Sequence, residues 1–187
     1  MLDLQTSWQA FPTLNTERLI LRELTLADTE AHFTLFSNPK IAEAHGQRPF
    51  QNTEESEWFI NYYSDAFARQ EAIRWGITVK SNTAVIGTCG FHALSKRHHR
   101  AEVGYELHPD YWRQGIMSEA VRAILRFGFR QMGLHRIEAN VDPNNAISAN
   151  LLRKLGFKEE GYLRERFNDN GRFVDDWYFS LLAREFK

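Results

Sequence analysis

Alternating apolar and polar residues predict a series of short strands along this chain. The clearest example is AEVGYELH, residues 101–108, in which the apolar side chains at 103, 105 and 107 share one face. Similar patterns predict strands at residues 18–24, 73–79, 84–94, 100–108, 135–141, 157–166 and 172–182. Turn residues at Ser81, Asn82 and near His98 join the three strands between 73 and 108 and favour an antiparallel meander. NDNG, residues 168–171, predicts a final hairpin turn.

Apolar residues at helical spacing predict four helices between the strands. The helices are expected to start at Asp28, Thr53, just after Gly115, and at Asn145. Residues 39–49 contain two prolines and a glycine and are expected to form a loop. This order predicts a mixed α/β (α+β) fold, with a mainly antiparallel central sheet of about six to seven strands and flanking helices. No repeat or linker divides the chain, so residues 1–187 are expected to form a single domain.

Length and charge narrow the class of protein. The 187 residues are 43% apolar, which suffices for a substantial core. The formal net charge of −1 gives no global electrostatic argument for a nucleic-acid or anionic-membrane partner. The start of the chain lacks the basic and apolar runs of a signal peptide, and no segment approaches the ~20 apolar residues of a membrane span. We therefore expect a soluble, cytoplasmic protein.

Two local features have more than one interpretation. Cys89 is the only cysteine, which excludes an intrachain disulfide and a multi-cysteine metal site. Its small and apolar neighbours favour a buried strand residue over a nucleophile. The basic run KRHHR, residues 96–100, is expected to be a solvated loop, with a phosphate site at the mouth of a cleft as the less favoured alternative.

The segment YWRQGIMSEA, residues 111–120, places a glycine turn between a predicted strand and a predicted helix. The first N–H groups of a helix have no partner within it, and the helix dipole adds roughly half a positive charge there. An anion can therefore bind at such a turn. Taken alone, a plain turn with a helix cap is the more common interpretation, and the sequence lacks the standard GxGxxG and GxxxxGK phosphate motifs.

A second helix start lies in DPNNAISANLLRKLGF, residues 142–157. Asn145 and Ser148 have the spacing of a helix cap, and the leucines that follow form an apolar stripe. Alone, this predicts an ordinary capped helix. However, its preceding strand is reached directly from the Gly115 helix, so we expect two helix starts at one end of the sheet, beside a cleft.

Together these motifs resemble the GNAT superfamily of acyl-CoA-dependent N-acetyltransferases, most closely its ribosomal-protein N-acetyltransferase branch. The resemblance is carried by residues 18–24, 101–120, 144–161 and 171–182 and covers nearly the whole chain. It implies a cleft between the two central strands and acetyl-CoA as cosubstrate, without a metal. The family turn has Gln or Arg at its first position and Gly or Ala at its last, where this chain has Trp112 and Met117.

The resemblance implies that the glycine turn binds the pyrophosphate of acetyl-CoA and that the preceding strand pairs with the pantetheine arm. By position, the pyrophosphate loop would comprise Gln114, Gly115, Ile116, Met117, Ser118 and Glu119. The arm would be lined by Glu106, Leu107 and His108, and Asn145 matches an asparagine that contacts it, with plain helix capping as the alternative. Because backbone N–H groups do most of this binding, we expect the two departures to alter packing more than binding.

The resemblance also implies catalytic roles for two side chains. Glu102 matches the general base that removes the amine proton through water, with a solvated or Arg100-paired glutamate as the alternative. Many family members place a tyrosine on the second helix for the leaving thiolate, but Leu152 stands there. Ser148 matches a serine proposed as the acid in the ribosomal-protein branch. A hydroxyl is a poor acid, so hydrogen bonding to the thiolate is the better role, and a plain helix N-terminal serine is an equal alternative.

We therefore predict acetyl transfer from acetyl-CoA to a primary amine, with a protein N-terminal α-amine favoured. Its pKa of about 7.7–8.0, against ~10.4 for lysine, makes deprotonation easier by about 3.4 kcal/mol. A small amine, such as a polyamine, amino sugar or amino-acid derivative, is the second acceptor class. A non-catalytic acyl-CoA-binding module is the third hypothesis. The sequence leaves both a monomer and a homodimer open.

Five aromatic residues are candidates for either an acceptor pocket or the core: Trp58, Tyr62, Trp75, Phe91 and Tyr178.

Overall fold

The computed structural model describes residues 8–44, 48–169 and 171–187. Its helices are α1 (Thr29–Phe36), α2 (Pro39–Ala44), α3 (Thr53–Ala68), α4 (Ile116–Arg130) and α5 (Ala146–Lys154). Its strands are β1 (Leu14–Asn15), β2 (Leu19–Glu23), β3 (Ile73–Val79), β4 (Asn82–Ser95), β5 (Arg100–Leu107), β6 (Arg136–Val141), β7 (Lys158–Asp169) and β8 (Arg172–Leu182). Short 3₁₀ turns cover Leu26–Asp28, Pro109–Tyr111 and Ala183–Glu185.

The eight strands form one sheet in the order β1-β2-β3-β4-β5-β6-β8-β7. Among the described strands, β5 and β6 pair in parallel and all other neighbours pair antiparallel. This confirms the mixed, mainly antiparallel sheet. The eighth strand is β1, whose two residues are too few to show an alternating pattern.

Helices cover the sheet on both faces. On one face, α4 and α5 pack on apolar strand residues, and Trp75 meets Phe127 edge to face with 5.4 Å between ring centroids. On the other face lie α1 and α3, where the Arg74 guanidinium carbon is 5.3 Å from the ring centroid of Tyr63. Arg74 and Trp75 are neighbours in β3, so the alternation of a strand sends them to opposite faces. The α4 face is therefore apolar, and the α3 face carries charged side chains.

The predicted loop over residues 39–49 was wrong in its first part, where α2 forms. Proline is favoured at the first position of a helix, and the Asn38 side chain accepts a hydrogen bond from the Lys40 N–H at 3.0 Å. Ile41 is 3% exposed and packs beside Leu35 and Phe36. Residues 45–47 lie outside the described residues.

Two other expectations concern local turns. Asp28 precedes α1 as expected, but its carboxylate makes no cap bond to that helix and instead accepts from the Thr25 N–H and from Arg22. The late hairpin is confirmed, because β7 pairs antiparallel with β8 up to Asp169 and Arg172. Position 170 of its turn lies outside the described residues.

Candidate active site

The two central parallel strands separate at Glu102. Their register runs from Arg100↔Arg136 to Glu102↔Glu138, and no later pair joins them within the described residues. However, β5 continues to Leu107 and β6 to Val141. This confirms the expected cleft between the central strands and places Glu102 at the point where it opens.

A helix starts beyond the end of each of these strands, at the same edge of the sheet. Helix α4 follows β5 after the Gly115 turn, and α5 follows β6 after Asn145. Gly115 has φ = +77°, a left-handed conformation that suits glycine. The Glu119 N–H makes the first bond within α4, to the Gly115 carbonyl at 3.1 Å, so the N–H groups before it face out of the helix end.

The positions of the side chains limit which groups of the turn can contact an anion. Ile116 and Met117 are 4% and 9% exposed and belong to the core, so only their backbone can face a ligand. Ser118 is half-buried in the first turn of α4, and Gln114 is exposed, with its amide donating to the Asp110 carbonyl at 2.8 Å. A pyrophosphate at this turn would therefore meet mainly backbone N–H groups.

Arg18 lies far from this turn along the chain but contacts it, and its role was not predicted from the sequence. Its Nη1 donates to the Gln114 carbonyl at 2.9 Å, and its Nε lies 2.7 Å from Glu119 Oε2. Thr16 also donates to Glu119, at 2.6 Å. Burial acts against ionisation of Glu119, but the bonds from Thr16 and Arg18 outweigh it and lower its pKa. The Glu119 carboxylate thus ties the start of β2 to α4, and its predicted place in the pyrophosphate loop stays a prediction.

The end of β5, where the pantetheine arm is expected, is held by a tryptophan. Trp112 Nε1 donates to the Leu107 carbonyl at 2.6 Å, and its ring packs against the cluster of Leu35, Phe36 and Ile41. The departure at Trp112 therefore serves packing. The His108 N–H bonds the Ile86 carbonyl at 2.8 Å. A carbonyl has two lone pairs, so Leu107 keeps acceptor capacity for a bound arm.

Glu106 sends its side chain to the α3 face, away from α4. Its carboxylate is buried against Arg74 and accepts from the Thr88 hydroxyl at 2.5 Å. The Arg74 Nε in turn donates to Thr88 at 3.0 Å. If Glu106 lines the pantetheine arm, it would therefore do so with its backbone and not with its side chain.

A hydroxyl pair crosses the cleft between β5 and α5. Tyr105 Oη lies 2.8 Å from Ser148 Oγ, and the Asn145 side chain caps α5 by accepting from the Ser148 N–H at 3.0 Å. Burial raises the pKa of Tyr105 to about 12, so its hydroxyl stays protonated. Leu152, which stands where many family members have a tyrosine, is fully buried, and the tyrosine hydroxyl near the start of this helix comes from β5. The strand pattern alone did not indicate this pairing.

Glu102 is held by two polar side chains on the α3 face. Asn140 Nδ2 donates to Glu102 Oε2 at 2.8 Å, and His92 Nε2 lies 3.6 Å from the same oxygen. His92 holds the pKa of Glu102 below its usual range, despite partial burial, so the carboxylate is charged at neutral pH. Arg100, the expected alternative partner, pairs with Glu138 instead. Glu102 is thus an ionised acceptor at the mouth of the cleft.

A family model described as "Acetyltransferase (GNAT) domain" matches residues 18–158, which include Glu102, the Gly115 turn and the start of α5. The chain belongs to the GNAT acetyltransferase family. GNAT acetyltransferases use acetyl-CoA, so this protein is an acetyl-CoA-dependent N-acetyltransferase.

Three relatives and one solved structure illustrate the family. The chain is 40% identical over 172 residues to the uncharacterized N-acetyltransferase YoaA of Bacillus subtilis (strain 168), covering 92% of this chain and 97% of that protein. It is 31% identical over 174 residues to the ribosomal protein uS5-alanine N-acetyltransferase of Escherichia coli (strain K12), with 87% and 86% covered. It is 26% identical over 158 residues to a spermidine N(1)-acetyltransferase of Vibrio cholerae, with 84% and 89% covered. A GNAT-family acetyltransferase structure from Bacillus anthracis matches with a TM-score of 0.84 at 27% identity, covering 93% and 100%.

The remaining candidate residues of this GNAT enzyme fall into three groups. Cys89 is fully buried, which raises the pKa of its thiol, as expected for a core residue. The basic run 96–100 lies at the start of β5, whereas the Gly115 turn follows its end, about 26 Å along the strand. It is therefore remote from the Gly115 turn. Of the five aromatics, Trp75 and Phe91 are core, Trp58 and Tyr62 are exposed on α3, and Tyr178 lies on the α3 face of the sheet.

Metal-ligand clusters and membrane-spanning helices are both missing from the described residues. No cluster of three or more histidine, cysteine, aspartate or glutamate side chains there is placed to hold a metal ion. In the same ranges, every helix is too short or too polar to cross a bilayer.

Replacing Gly115 with valine should weaken acetyl-CoA binding by about 10- to 100-fold, the loss of one or two N–H bonds to a charged group. A β-branched residue resists φ = +77° and puts methyl groups into the turn. Gly171→Val is the matched control, because Gly171 has φ = +89° in open space at the β7–β8 turn. Calorimetric titration with acetyl-CoA measures both variants. Equal affinities would remove the Gly115 turn from the pyrophosphate site.

Proposed function

We propose that this GNAT enzyme acetylates the α-amine of a protein N-terminus. The observation that carries the proposal is the mixed charge on the face of the sheet that carries Glu102, where the Arg166 guanidinium lies beside the Asp176 carboxylate. Arg166 Nε is 3.6 Å from Asp176 Oδ2, and its side chain is 33% exposed. A polyamine brings several positive charges and would be repelled by Arg166, whereas a peptide N-terminus brings one. We propose the cytoplasm as its compartment, consistent with a single, buried cysteine.

In the proposed reaction, the acceptor arrives as an ammonium and loses a proton to Glu102 through water. The neutral nitrogen attacks the thioester carbonyl, the C–N bond forms and the C–S bond breaks. The nitrogen then loses its second proton. One of the two protons ends on the CoA sulfur and the other reaches solvent through Glu102, so the charges balance.

We assign the stabilisation of the departing thiolate to the pair of hydroxyl groups on β5 and α5. Ser148 lies in the first turn of α5, where the helix dipole favours negative charge. Tyr105, held protonated by its raised pKa, donates to Ser148, which in turn donates to the sulfur. This arrangement stabilises the thiolate by hydrogen bonding and requires no strongly acidic group.

An acceptor panel tests the choice of amine. At pH 7.5, a peptide with a free N-terminus should release CoA with a kcat/KM up to about 300-fold above that of its N-acetylated form carrying one lysine. This ratio follows from about 2.5 pKa units between the two amines. Spermidine is the small-amine comparison. Faster turnover of spermidine than of every peptide would favour the small-amine alternative, and acetyl-CoA binding without transfer to any amine would favour a non-catalytic module.

A further inference from the structure

The α3 face of the cleft contains an unusual set of unpaired acceptors. In the described part of the chain, four buried side-chain atoms have no hydrogen-bond partner: His32 Nε2, His92 Nδ1, Asn140 Oδ1 and Asp176 Oδ2. His32 lies apart, between α1 and α3, bonded to Ser56. The other three belong to the face that carries Glu102. Buried polar atoms are normally paired, so this concentration points to a missing hydrogen-bonding partner.

The orientation of Asn140 is set by Glu102. A carboxylate only accepts hydrogen bonds, so the amide must turn its Nδ2 toward Glu102, at 2.8 Å. Its Oδ1 is then left as a buried acceptor without a partner. Asn140 pairs in register with Tyr178 of β8, so the two side chains share a face. This acceptor therefore lies next to the group assigned as the base.

Asp176 supplies a second acceptor from the neighbouring strand. It precedes Tyr178 by two residues on β8, so it points to the same face. The residue is 2% exposed, yet its Oδ2 takes no hydrogen bond. Because Asn140 faces Tyr178 in the register of β6 and β8, Asp176 lies diagonally across from Asn140 on the same face, and Asn140 in turn contacts Glu102.

The positive charge at this site comes from a bulge in β7. Residues 164–166 lie opposite Asp175 alone, because the register shifts between Leu163↔Asp176 and Phe167↔Val174. Arg166, at the end of the bulge, lies with its guanidinium carbon 5.6 Å from the ring centroid of Tyr178 and approaches Asp176 at 3.6 Å. That approach is too long for a hydrogen bond. Arg166 thus partly neutralises Asp176 without pairing its free oxygen.

We propose that Asp176 Oδ2 and Asn140 Oδ1 bind the ammonium group of the acceptor directly, and Glu102 binds it through a water, before its proton is removed. An ammonium has three N–H donors and one positive charge, which match three acceptors and the net charge of −1 left by two carboxylates and Arg166. This inference rests on the proposed acetyl transfer to an amine and identifies the residues that select it. Asp176 binds and positions the amine, while Glu102 takes the proton.

The electrostatics of Asp176 agree with this role. Burial raises the pKa of Asp176 to about 6, with Glu102 and Asp142 acting in the same direction and Arg166 and the Val141 backbone against it. At pH 7.5 the carboxylate is therefore still ionised and incompletely compensated. A bound ammonium would stabilise that charge.

Asp176→Asn tests the subsite directly. Asparagine keeps the size of the side chain and an acceptor oxygen but removes the charge, so the KM for a peptide amine at pH 7.5 should rise about 10- to 100-fold. The kcat should stay within about threefold, and acetyl-CoA affinity should be unchanged. Asp65→Asn is the matched control, because Asp65 is an exposed aspartate on α3. A KM equal to that of Asp65→Asn would overturn the inference.

Arg166→Gln provides a second test that does not depend on how Asp176 variants fold. Removing the guanidinium frees Asp176 for the ammonium, so the KM at pH 8 should fall about three- to tenfold. A gain in affinity is not expected from structural damage. A KM that rises instead would assign acceptor recognition to Arg166 and overturn the role of Asp176.

The two proposals fail in different ways. If the wild-type protein transfers acetyl to no amine, the proposed function fails and this subsite fails with it. If the wild-type protein acetylates peptides while both KM shifts are absent, the function stands and only the subsite is wrong.

Discussion

Glu102→Gln should slow acetyl transfer by about 10²- to 10⁴-fold at neutral pH and leave acetyl-CoA binding intact, the usual range for loss of a general base. Glutamine keeps the shape of the side chain and can still accept from Asn140, which lies 2.8 Å away. It cannot take a proton. The pKa of Glu102 is lowered by His92, so the wild-type carboxylate is already ionised and ready to accept one. Steady-state CoA release and calorimetry with acetyl-CoA measure the two effects.

The pH profile separates a lost base from a damaged fold. In the variant, the rate should keep rising with pH as the amine loses its proton unaided, whereas the wild-type rate should level off earlier. Glu54→Gln removes an equal charge from the exposed first turn of α3 and should leave the rate unchanged. Turnover by Glu102→Gln at the wild-type rate would remove Glu102 from the mechanism.

Arg74→Met should cost about 3–5 kcal/mol of unfolding free energy, the range for breaking a buried ion pair from one side. Arg74 and Glu106 are 5% and 9% exposed, and the guanidinium lies between the Glu106 carboxylate and the rings of Phe59 and Tyr63. Methionine leaves the carboxylate charged and without its cation in the core. Urea unfolding should show a lower midpoint with an unchanged slope.

Two further variants show whether the missing pair is the cause. Arg74→Met combined with Glu106→Gln removes both charges while keeping an acceptor for the Thr88 hydroxyl, so most of the loss should be recovered. Arg69→Met breaks the exposed pair with Glu71 and should change stability little. If the double variant were less stable than Arg74→Met, lost packing of the arginine stem would explain the effect better than the unpaired charge.

Local patterns predicted much of this fold because they depend on neighbours along the chain. The period-two alternation identified β5 and put Glu102, Gly104 and Glu106 on one face, and the alternation is seen in the structure. The glycine before α4 and the asparagine before α5 marked two helix starts correctly. In contrast, α2 was missed because prolines at both ends of residues 39–49 suggested a loop, although proline also begins helices.

Local sequence patterns could not predict the contacts that give the site its chemistry. Arg18 reaches the Gly115 turn across 96 positions, and Tyr105 meets Ser148 across 43. Arg100 pairs with Glu138 rather than with Glu102. Each outcome depends on strand order and register, and a one-residue shift in register would send every side chain of a strand to the opposite face.

The sequence by itself determined most of the elements and the faces of the strands, because dihedral preferences and apolar periodicity act over a few residues, and its motifs indicated the acetyltransferase family and the candidates Glu102 and Gly115. Only the tertiary structure decided which polar groups meet. It placed Asp176 of β8 and Asn140 of β6 on the face of the sheet that carries Glu102, and left Asn140 Oδ1 and Asp176 Oδ2 buried without hydrogen-bond partners. Burial and hydrogen bonding are properties of the assembled sheet, since they depend on what the other strands and helices place nearby.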